Sequence, residues 1–234
     1  MMLEVSNLNS WYGPAHILFG VGLEAKAGEV VALLGRNGAG KSTTFKSIIG
    51  LIEEKTGSIR FRGEEISGLA PYQIARKGLG YVPEDRRIFT QLTITENLEV
   101  GRQPPREGLP EWTPERIYDL FPNLAEMRNR AGSAMSGGEQ QMLTIGRTLM
   151  GNPYLVLLDE PSEGIAPKIV EQMAEAVTVM KQAGVCVLLS EQNLPFARMI
   201  SDRAYVLENG EVQFAGTIAE LSEREDIRKA YLAL

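Results

Sequence analysis

The glycine-rich segment 35–42 has residue types and a spacing suited to holding phosphate groups. It reads GRNGAGKS and matches the pattern G-x-x-x-x-G-K-S/T, known as Walker A. Glycines let several backbone N–H groups converge on one anion, and the N-terminus of a following helix adds partial positive charge. Lys41 suits the β and γ phosphates of a nucleotide, and the Ser42 hydroxyl suits Mg²⁺. The predicted phosphate-binding residues are Gly35, Asn37, Gly38, Gly40, Lys41, Ser42 and Thr43.

Two adjacent acids, Asp159 and Glu160, follow the apolar run LVLL. Open α/β sheets bind ligands at the carboxyl ends of their strands, so these side chains are predicted to reach the phosphate site. We expect Asp159 to hold Mg²⁺ through water and Glu160 to act as general base toward an attacking water. Such pairs also occur in acidic surface turns, but beside a Walker A segment the pair indicates catalysis.

A second candidate anion site lies upstream of the acidic pair, in the segment MSGGEQQ at 135–141. The Ser136 hydroxyl is suited to capping a helix, and Gly137 and Gly138 expose backbone amides at its first turn. A plain helix cap with a Gly-Gly hinge is the alternative interpretation. We assign Ser136, Gly137 and Gly138 to nucleotide binding.

The elements that must position these motifs are strand-length apolar runs alternating with helical stretches. This alternation predicts a largely parallel sheet covered on both faces. Helices are predicted from the 40s to residue 50 and over 167–183, the second with a proline in its first turn. The predicted main strands are 30–34, 79–82, 154–158, 185–189 and 203–207.

Two stretches depart from this alternation. Segments 3–29 and 57–63 have the short strands and turn residues of an antiparallel layer. From 92 to 151 strand signals vanish, and helices are predicted over 93–101, 113–121 and 137–150. We therefore predict a single domain over 1–234, with a core lobe of about 1–90 and 152–234 and an inserted helical lobe of about 91–151.

Composition narrows the class of protein. With 44% hydrophobic and 23% charged residues, the chain can bury a sizeable core. Its longest apolar runs fall far short of the about 20 residues of a membrane span, and no export signal is expected. A net charge of −6 without a basic cluster argues against nucleic acid as a partner. The single cysteine, Cys186, stands in the run VCVLL and is predicted to be a buried hydrophobe.

Together these motifs resemble the ATP-binding subunits of ABC transporters, whose signature LSGGQ is similar to MSGGEQQ here. The resemblance covers essentially the whole chain. It implies an α/β fold with a P-loop NTPase (RecA-like) core, an antiparallel β layer and an inserted helical lobe. It also implies ATP hydrolysis, with ATP and Mg²⁺ as cofactors. Two such domains pair head to tail, so that each γ-phosphate lies between one Walker A segment and the opposite signature.

Within this family the chain most resembles the second ATPase subunit of branched-chain amino acid importers, and the urea and amide relatives are nearly as similar. The resemblance rests on GYVPEDRRIFTQLTITENLEVG, LLDEPSEGIAP, SEQN and DRAYVLENGEV. It implies a second ATPase subunit in a hetero- or homodimer, permease subunits and, indirectly, a periplasmic or extracellular binding protein. The implied location is the cytoplasmic face of the inner (plasma) membrane, as a peripheral subunit. Tyr12 matches the aromatic that stacks on adenine, and an ordinary edge-strand aromatic is the alternative.

Three positions depart from the family pattern. Glu84 replaces a glutamine that touches Mg²⁺ and the membrane subunit. Gln192 replaces the switch histidine, since the only histidine is His16; glutamine can hydrogen-bond a γ-phosphate but gains no charge near neutral pH. Ala166 replaces a common aspartate. From these departures, above all the missing histidine, we expect slower hydrolysis here than in a partner that retains the histidine. The implied catalytic residues are Glu160, Lys41 and Gln192, and the implied metal ligands are Ser42, Glu84 and Asp159.

The inserted lobe near the segment after predicted strand 79–82 is the expected docking groove for a cytoplasmic loop of the membrane subunit, although its arginines are alternatively only solvated. The groove residues are Glu84, Asp85, Arg86, Arg87 and Phe89. Segment 217–234 is predicted to form short amphipathic helices. Two other functions stay open: the ATPase of a lipopolysaccharide-type ABC exporter, which is expected to keep a histidine at position 192, and a non-transport ABC ATPase, which usually has two fused cassettes or a long coiled coil.

Overall fold

The computed structural model describes residues 1–232 and contains two β-sheets. The strands of the larger sheet are β3 (Val30–Leu34), β6 (Leu79–Val82), β7 (Leu155–Asp159), β8 (Cys186–Glu191), β9 (Arg203–Glu208) and β10 (Glu211–Thr217). Their order is β10-β9-β3-β8-β7-β6, and all pairs are parallel except β10 with β9. The parallel sheet predicted from the sequence is confirmed: β3 and β6 have the predicted bounds, and the ends of β7, β8 and β9 differ by one or two residues.

The smaller sheet is the predicted antiparallel layer. Its strands are β1 (Leu3–Tyr12), β2 (Ala15–Ala25), β4 (Lys55–Phe61) and β5 (Glu64–Glu65). They are ordered β2-β1-β4-β5, and every pairing in the sheet is antiparallel. The turn between β1 and β2 carries Tyr12 to one end of this layer.

Helices cover the parallel sheet and fill the stretch between β6 and β7. They are α1 (Lys41–Ile48), α2 (Pro71–Arg76), α3 (Ile94–Val100), α4 (Pro114–Leu120), α5 (Pro122–Glu126), α6 (Gly137–Leu149), α7 (Pro167–Gln182), α8 (Leu194–Ile200), α9 (Ile218–Glu223) and α10 (Glu225–Tyr231). The predicted helices match α1, α3, α4, α6 and α7. We propose that the stretch containing α3 to α6 is the inserted lobe of about 91–151, and that the rest of the domain is the core lobe.

Hydrophobic packing lies on both faces of the parallel sheet. Along β3, Val30, Ala32 and Leu34 belong to one buried cluster, whereas Val31 and Leu33 belong to the other. Successive side chains of a strand point to opposite faces, so a continuous apolar run is what a strand buried on both sides requires. The sheet is therefore packed between two layers, and this packing fixes the positions of the residues at the carboxyl ends of its strands.

The remaining predictions concern Cys186 and the last helices. Cys186 is buried, and burial raises the pKa of its thiol, as expected for a small core residue. Helices α9 and α10 match the helices predicted from residue 217 onward, although residues 233 and 234 of that prediction lie outside the described residues. Within residues 1–232, no helix combines the length and apolar character that crossing a membrane requires.

Candidate nucleotide site

A cleft of about 360 Å³ opens beside the start of α1. Four parts of the chain line it: the β1–β2 hairpin, the loop before α1 together with the first turn of that helix, the segment after β6 and the end of β7. The lining residues are Tyr12, Ile17, Asn37, Gly38, Gly40, Lys41, Ser42, Thr43, Glu84 and Glu160. The cleft thus gathers most of the residues predicted to bind phosphate and metal.

The loop between β3 and α1 needs glycine where a side chain would not fit. Gly38 and Gly40 have left-handed φ angles of 82° and 107°, which strain other residues. A Cβ at Gly35 would lie 2.4 Å from the carbonyl oxygen of Leu207 on β9. The loop therefore packs closely against the sheet, and no side chains at its glycines cover the backbone N–H groups. No side chain caps the N-terminus of α1, so its first-turn N–H groups are available to an anion.

Lys41 lies at the base of the cleft and is only 3% exposed. Its Nζ donates to the carbonyl oxygens of Gly35 at 2.9 Å and Arg36 at 3.1 Å. The same ammonium pairs with Oε1 of Glu160 at 2.9 Å. Three oxygens thus hold one compact cation where the loop turns into the helix.

Asp159 is buried at the end of β7 and accepts three hydrogen bonds. Ser42 Oγ and Ser190 Oγ donate to Oδ1 at 2.9 and 2.6 Å, and the Tyr81 hydroxyl donates to Oδ2 at 3.0 Å. Burial, together with the charge of Asp159, raises the pKa of Tyr81, which keeps the phenol protonated and donating. The carboxylate therefore has a fixed orientation next to the Ser42 hydroxyl.

Glu160 follows in a left-handed conformation, with φ of 45°. Its backbone N–H donates to Oγ of Ser190 at 3.0 Å, and this bond supports the turn. Burial disfavours the ionised carboxyl, but hydrogen bonds from Lys41 and Gln192 and the charge of Lys41 outweigh it and lower the pKa of Glu160 below its ordinary 4.5. The hydrogen bond to Glu160 in turn raises the pKa of Glu163. Glu160 is thus a carboxylate at neutral pH, the form that accepts a proton.

Gln192 connects the end of β8 to the cleft. Its Nε2 donates to Oδ1 of Asn37 at 2.6 Å and to Oε2 of Glu160 at 2.7 Å. The residue that stands in place of a histidine therefore touches both the phosphate loop and the acid. It reaches these positions as a neutral donor whose charge does not depend on pH.

The other predicted nucleotide contacts fall into two groups. Tyr12 is 46% exposed at the rim of the cleft, next to the loop before α1. Ser136 caps α6: its Oγ accepts from the N–H of Glu139 at 3.4 Å, while the Glu139 carboxylate accepts from the Ser136 N–H at 2.7 Å. Ser136, Gly137 and Gly138 do not line the cleft that contains Lys41. In one copy of the chain, the phosphate loop and the MSGGEQQ segment therefore lie at separate places.

Ser190, Tyr81 and Glu191 belong to the site but were not predicted. Ser190 lies directly opposite Asp159 in the parallel pairing of β7 with β8, which explains its contact with that acid. The buried Glu191 accepts from the N–H of Ser162 at 3.0 Å, and its burial raises its pKa. The available signal was the polar sequence SEQN at the end of a strand, but its meaning depends on which strand lies beside it.

A phosphate loop between a central strand and its helix, with paired acids at the end of another strand of the same sheet, defines a P-loop ATPase. The chain belongs to the ABC transporter family, whose model matches residues 18–163. It is accordingly an ATP-binding subunit that hydrolyses ATP to power transport. ATPase subunits of this family dimerise and work with transmembrane permease components. The resemblance inferred from the motifs is confirmed.

Relatives of known name are similar along their whole length. The chain is 44% identical over 231 residues, 99% of either protein, to the high-affinity branched-chain amino acid transport ATP-binding protein BraG of Pseudomonas aeruginosa. It is 34% identical to the lipopolysaccharide export system ATP-binding protein LptB of Haemophilus influenzae, over 99% of this chain and 97% of that protein. A solved ATP-binding subunit of an ABC transporter superposes with a TM-score of 0.83 at 31% identity, covering 100% of this chain and 97% of the other.

Proposed function

We propose that this chain energises an importer of branched-chain or other hydrophobic amino acids. The observation that carries the proposal is the 44% identity to BraG over 99% of both chains, against 34% to the lipopolysaccharide export protein. The site adds support, because Gln192 occupies the position at which the exporter is expected to have a histidine. Lipopolysaccharide export is the second candidate, since that relative too matches nearly the full length.

In the proposed mechanism, Lys41 neutralises the β and γ phosphates while the bare amides of 35–42 hold them. Glu160 takes the proton from the attacking water, for which its lowered pKa provides the ionised form. Gln192 orients that carboxylate and donates to the terminal phosphate. Tyr12 stacks on the adenine from the rim of the cleft.

We further propose that Ser42, Asp159 and Glu84 hold Mg²⁺. A hydroxyl and two carboxylates are the hard oxygen donors that this ion prefers. Within residues 1–232 no group of three or more histidine, cysteine, aspartate or glutamate side chains is placed to hold a metal. A small protein contribution fits Mg²⁺, because this ion keeps several waters and is otherwise bound by substrate phosphates. When bound, it supplies charge neutralisation on those phosphates.

The proposed docking surface for the permease is a groove of about 460 Å³ between α2, α3 and the segment after β6. Tyr72, Phe89 and Val100 line it and are 61%, 48% and 54% exposed. Large apolar side chains this exposed, next to one another, are typical of a protein contact. Of the residues predicted for the groove, Phe89 lines it, whereas Glu84 lines the nucleotide cleft. Docking there would place the chain peripherally on the cytoplasmic face of the membrane.

The second proposed interface joins two ATPase subunits head to tail. Ser136, Gly137 and Gly138 lie outside the cleft that contains Lys41. A nucleotide in that cleft therefore contacts a signature segment only when a second subunit supplies it. That subunit is either another copy or a different ATPase. A periplasmic or extracellular binding protein completes the proposed importer without touching this chain.

The proposal is tested by purifying the tagged chain from membranes of its native host and identifying the permease that accompanies it. Uptake of radiolabelled leucine is then compared with that in cells lacking the gene. We expect permease subunits to co-purify and leucine uptake to fall in the deletion strain. Recovery of lipopolysaccharide-export membrane proteins instead, with unchanged leucine uptake, would select the second candidate.

A further inference from the structure

Segment 84–89 touches three functional surfaces within six residues. Glu84 lines the nucleotide cleft, and Phe89 lines the groove proposed for the permease. Between them, the guanidinium of Arg86 lies against Gly137 of the signature, where a Cβ would meet its Nη1 at 2.8 Å. Whatever fixes the middle of this segment therefore fixes the relative placement of all three surfaces.

The middle of the segment has a backbone that needs support. Arg86 and Arg87 have left-handed φ angles of 62° and 50°. Neither is glycine, and two consecutive residues in this region persist only where their surroundings hold them. The exposed ion pair of Arg87 with Asp85, at 2.8 Å, is too solvated to supply that support alone.

Arg147, on α6, binds the carbonyl groups of this turn. Its Nη2 donates to the oxygen of Arg87 at 2.7 Å and more weakly to that of Arg86 at 3.4 Å. The hydroxyl of Thr144, one turn earlier on the same helix, also donates to the Arg86 oxygen, at 3.0 Å. Two side chains of α6, the helix that begins at the signature, thus bind the carbonyl groups of the turn.

The same guanidinium extends to the groove end of the segment. It lies 5.0 Å from the centre of the Phe89 ring, within cation–π range. Its Nη1 is 3.5 Å from Oδ1 of Asn97, and this fully buried amide accepts from the Phe89 N–H at 2.9 Å and donates to the Phe89 oxygen at 3.0 Å. Arg147 is therefore in contact with both halves of the segment.

Arg147 lacks an acidic partner in the described part of the chain. Among the described residues, no carboxylate oxygen lies within 4.0 Å of its guanidinium nitrogens, and desolvation lowers its pKa. A half-buried cation with neutral acceptors alone is a poor choice for stability, because its desolvation is only partly offset. Its planar fork does suit several carbonyl oxygens at once, which a lysine would not match.

We infer that Arg147 is a positioning residue, which couples the groove to the nucleotide cleft by holding the carbonyl groups of Arg86 and Arg87. When the permease binds in the groove, it displaces Phe89. The guanidinium of Arg147 transmits that displacement to the turn, which lies next to Glu84 and the signature. The coupling half of this inference rests on the proposed permease docking, whereas the holding of the turn does not.

Trypsin provides a direct measure of the turn, because the carbonyl that Arg147 binds in Arg87 is the one attacked in cleavage after Arg87. In the full-length chain, Arg147→Met is expected to speed cleavage there about tenfold, since proteolysis follows the population of the open form. Cleavage after Arg62 and Arg224, both exposed elsewhere, serves as the internal reference. Thr144→Val removes the hydroxyl that donates to the Arg86 carbonyl oxygen of the same turn. It is also expected to speed cleavage after Arg87, with less risk to folding.

ATP turnover supplies the functional measure, on the chain alone and on the complex purified through it. We expect Arg147→Met to lower kcat about tenfold with KM for ATP unchanged, because a small displacement near the chemistry acts mainly on the reaction step. Arg147→Lys should recover only part of the loss. Arg116→Met is the matched control, since Arg116 also donates to a carbonyl, that of Glu111 at 2.7 Å, and stacks on Trp112 at 4.5 Å, away from the turn.

The outcomes separate the inference from the proposed function. Selective cleavage after Arg87 together with lower kcat supports it, and so does loss of permease-stimulated turnover in the complex. Equal acceleration at all three trypsin sites, or selective opening with unchanged kcat in both preparations, overturns it. A wild-type chain that brings down no permease refutes the docking proposal instead, while the cleavage and basal kcat measurements still decide the role of Arg147.

Discussion

At the scale of single residues, the ion pair between Lys41 and Glu160 is the centre of the site. Both side chains are almost fully buried, at 3% and 7% exposure. Lys41 helps to keep Glu160 ionised, because a buried carboxylate that loses its partner is strongly disfavoured. The same contact therefore positions Lys41 as a cation for phosphate and Glu160 as a base for water.

Replacing Lys41 with Met is expected to reduce ATP turnover about 10²-fold or more, because the terminal phosphate loses its cation. It should also destabilise the fold by about 1–3 kcal/mol at pH 8, where Glu160 is left without its main donor. The lowered pKa of Glu160 contributes stability above its ordinary 4.5 that is lost as pH falls through the folded value. The destabilisation should therefore persist at pH 5 and shrink only below pH 4.5, which urea unfolding at pH 8 and at about pH 3.5 measures. Lys46→Met, on the same helix, should show no such pH dependence.

Glu160→Gln is expected to lower kcat by about 10²- to 10⁴-fold while ATP binding persists, because only the proton acceptor is removed. Steady-state turnover and fluorescent-nucleotide titration measure the two effects. Glu163→Gln, which changes an acid beside it, is the control. In an assembled pair of ATPases, the loss should be smaller than that from the matching change in a partner with the switch histidine. A larger loss would contradict the expectation of slower hydrolysis at this site.

At the scale of elements, helix caps and close approaches fix the positions of the helices between β6 and β7. Both α3 and α6 begin with a capping box, in which a Thr93 or Ser136 hydroxyl is paired with a glutamate three residues on. The two helices then meet where Gly101 follows α3. A Cβ there would lie 2.1 Å from the carbonyl oxygen of Arg147.

Gly101→Ala should destabilise the protein by about 1–3 kcal/mol, because α3 and α6 must separate to admit the methyl group. Left-handed strain does not contribute, since the φ of Gly101 is −78°. Gly68→Ala is the matched control: no atom lies within 4 Å of its would-be Cβ, so little change is expected. Chemical denaturation of both variants measures the difference, and equal stabilities would contradict the steric argument.

At the scale of the whole molecule, the sheet brings distant segments to one edge. The ends of β3, β7 and β8 supply the phosphate loop, the acid pair and Gln192. The phosphate loop lies more than a hundred residues before the other two in the chain. The groove with Phe89 is a separate pocket, lined by residues of α2, α3 and α6. Work done at the cleft must cross the domain to reach a permease.

Phe89→Asp should cut transport about tenfold or more, since a carboxylate replaces an apolar contact at the centre of the proposed interface. Nucleotide affinity of the isolated chain should not change, because Phe89 does not line the cleft. Leu51→Asp, at a residue of similar 45% exposure outside the groove, is the control. Uptake measured in cells distinguishes the two, and full uptake with the Phe89 variant would remove this docking assignment.

Local patterns made much of the fold predictable. The phosphate loop, the strands rich in Val and Leu, and the longer helices are each specified by neighbouring residues, so their types were predicted correctly. Helices α2, α5 and α8, of five to seven residues, were missed, whereas α3 and α4, of seven residues each, were predicted. Strand β10 was also missed, although the dipeptide Asn209-Gly210, with positive φ at both residues, is a local signal for the tight hairpin that joins it to β9.

The sequence by itself determined which chemical groups are present for phosphate, metal and proton transfer, because those motifs are continuous and carry their own turn and cap residues. Tertiary structure alone decided that Ser190 and Tyr81 meet Asp159, that Gln192 bridges Asn37 and Glu160, and that Arg147 holds the turn after β6. These contacts depend on strand order and on helix placement. Both result from packing the whole apolar core, which no short stretch of the chain specifies.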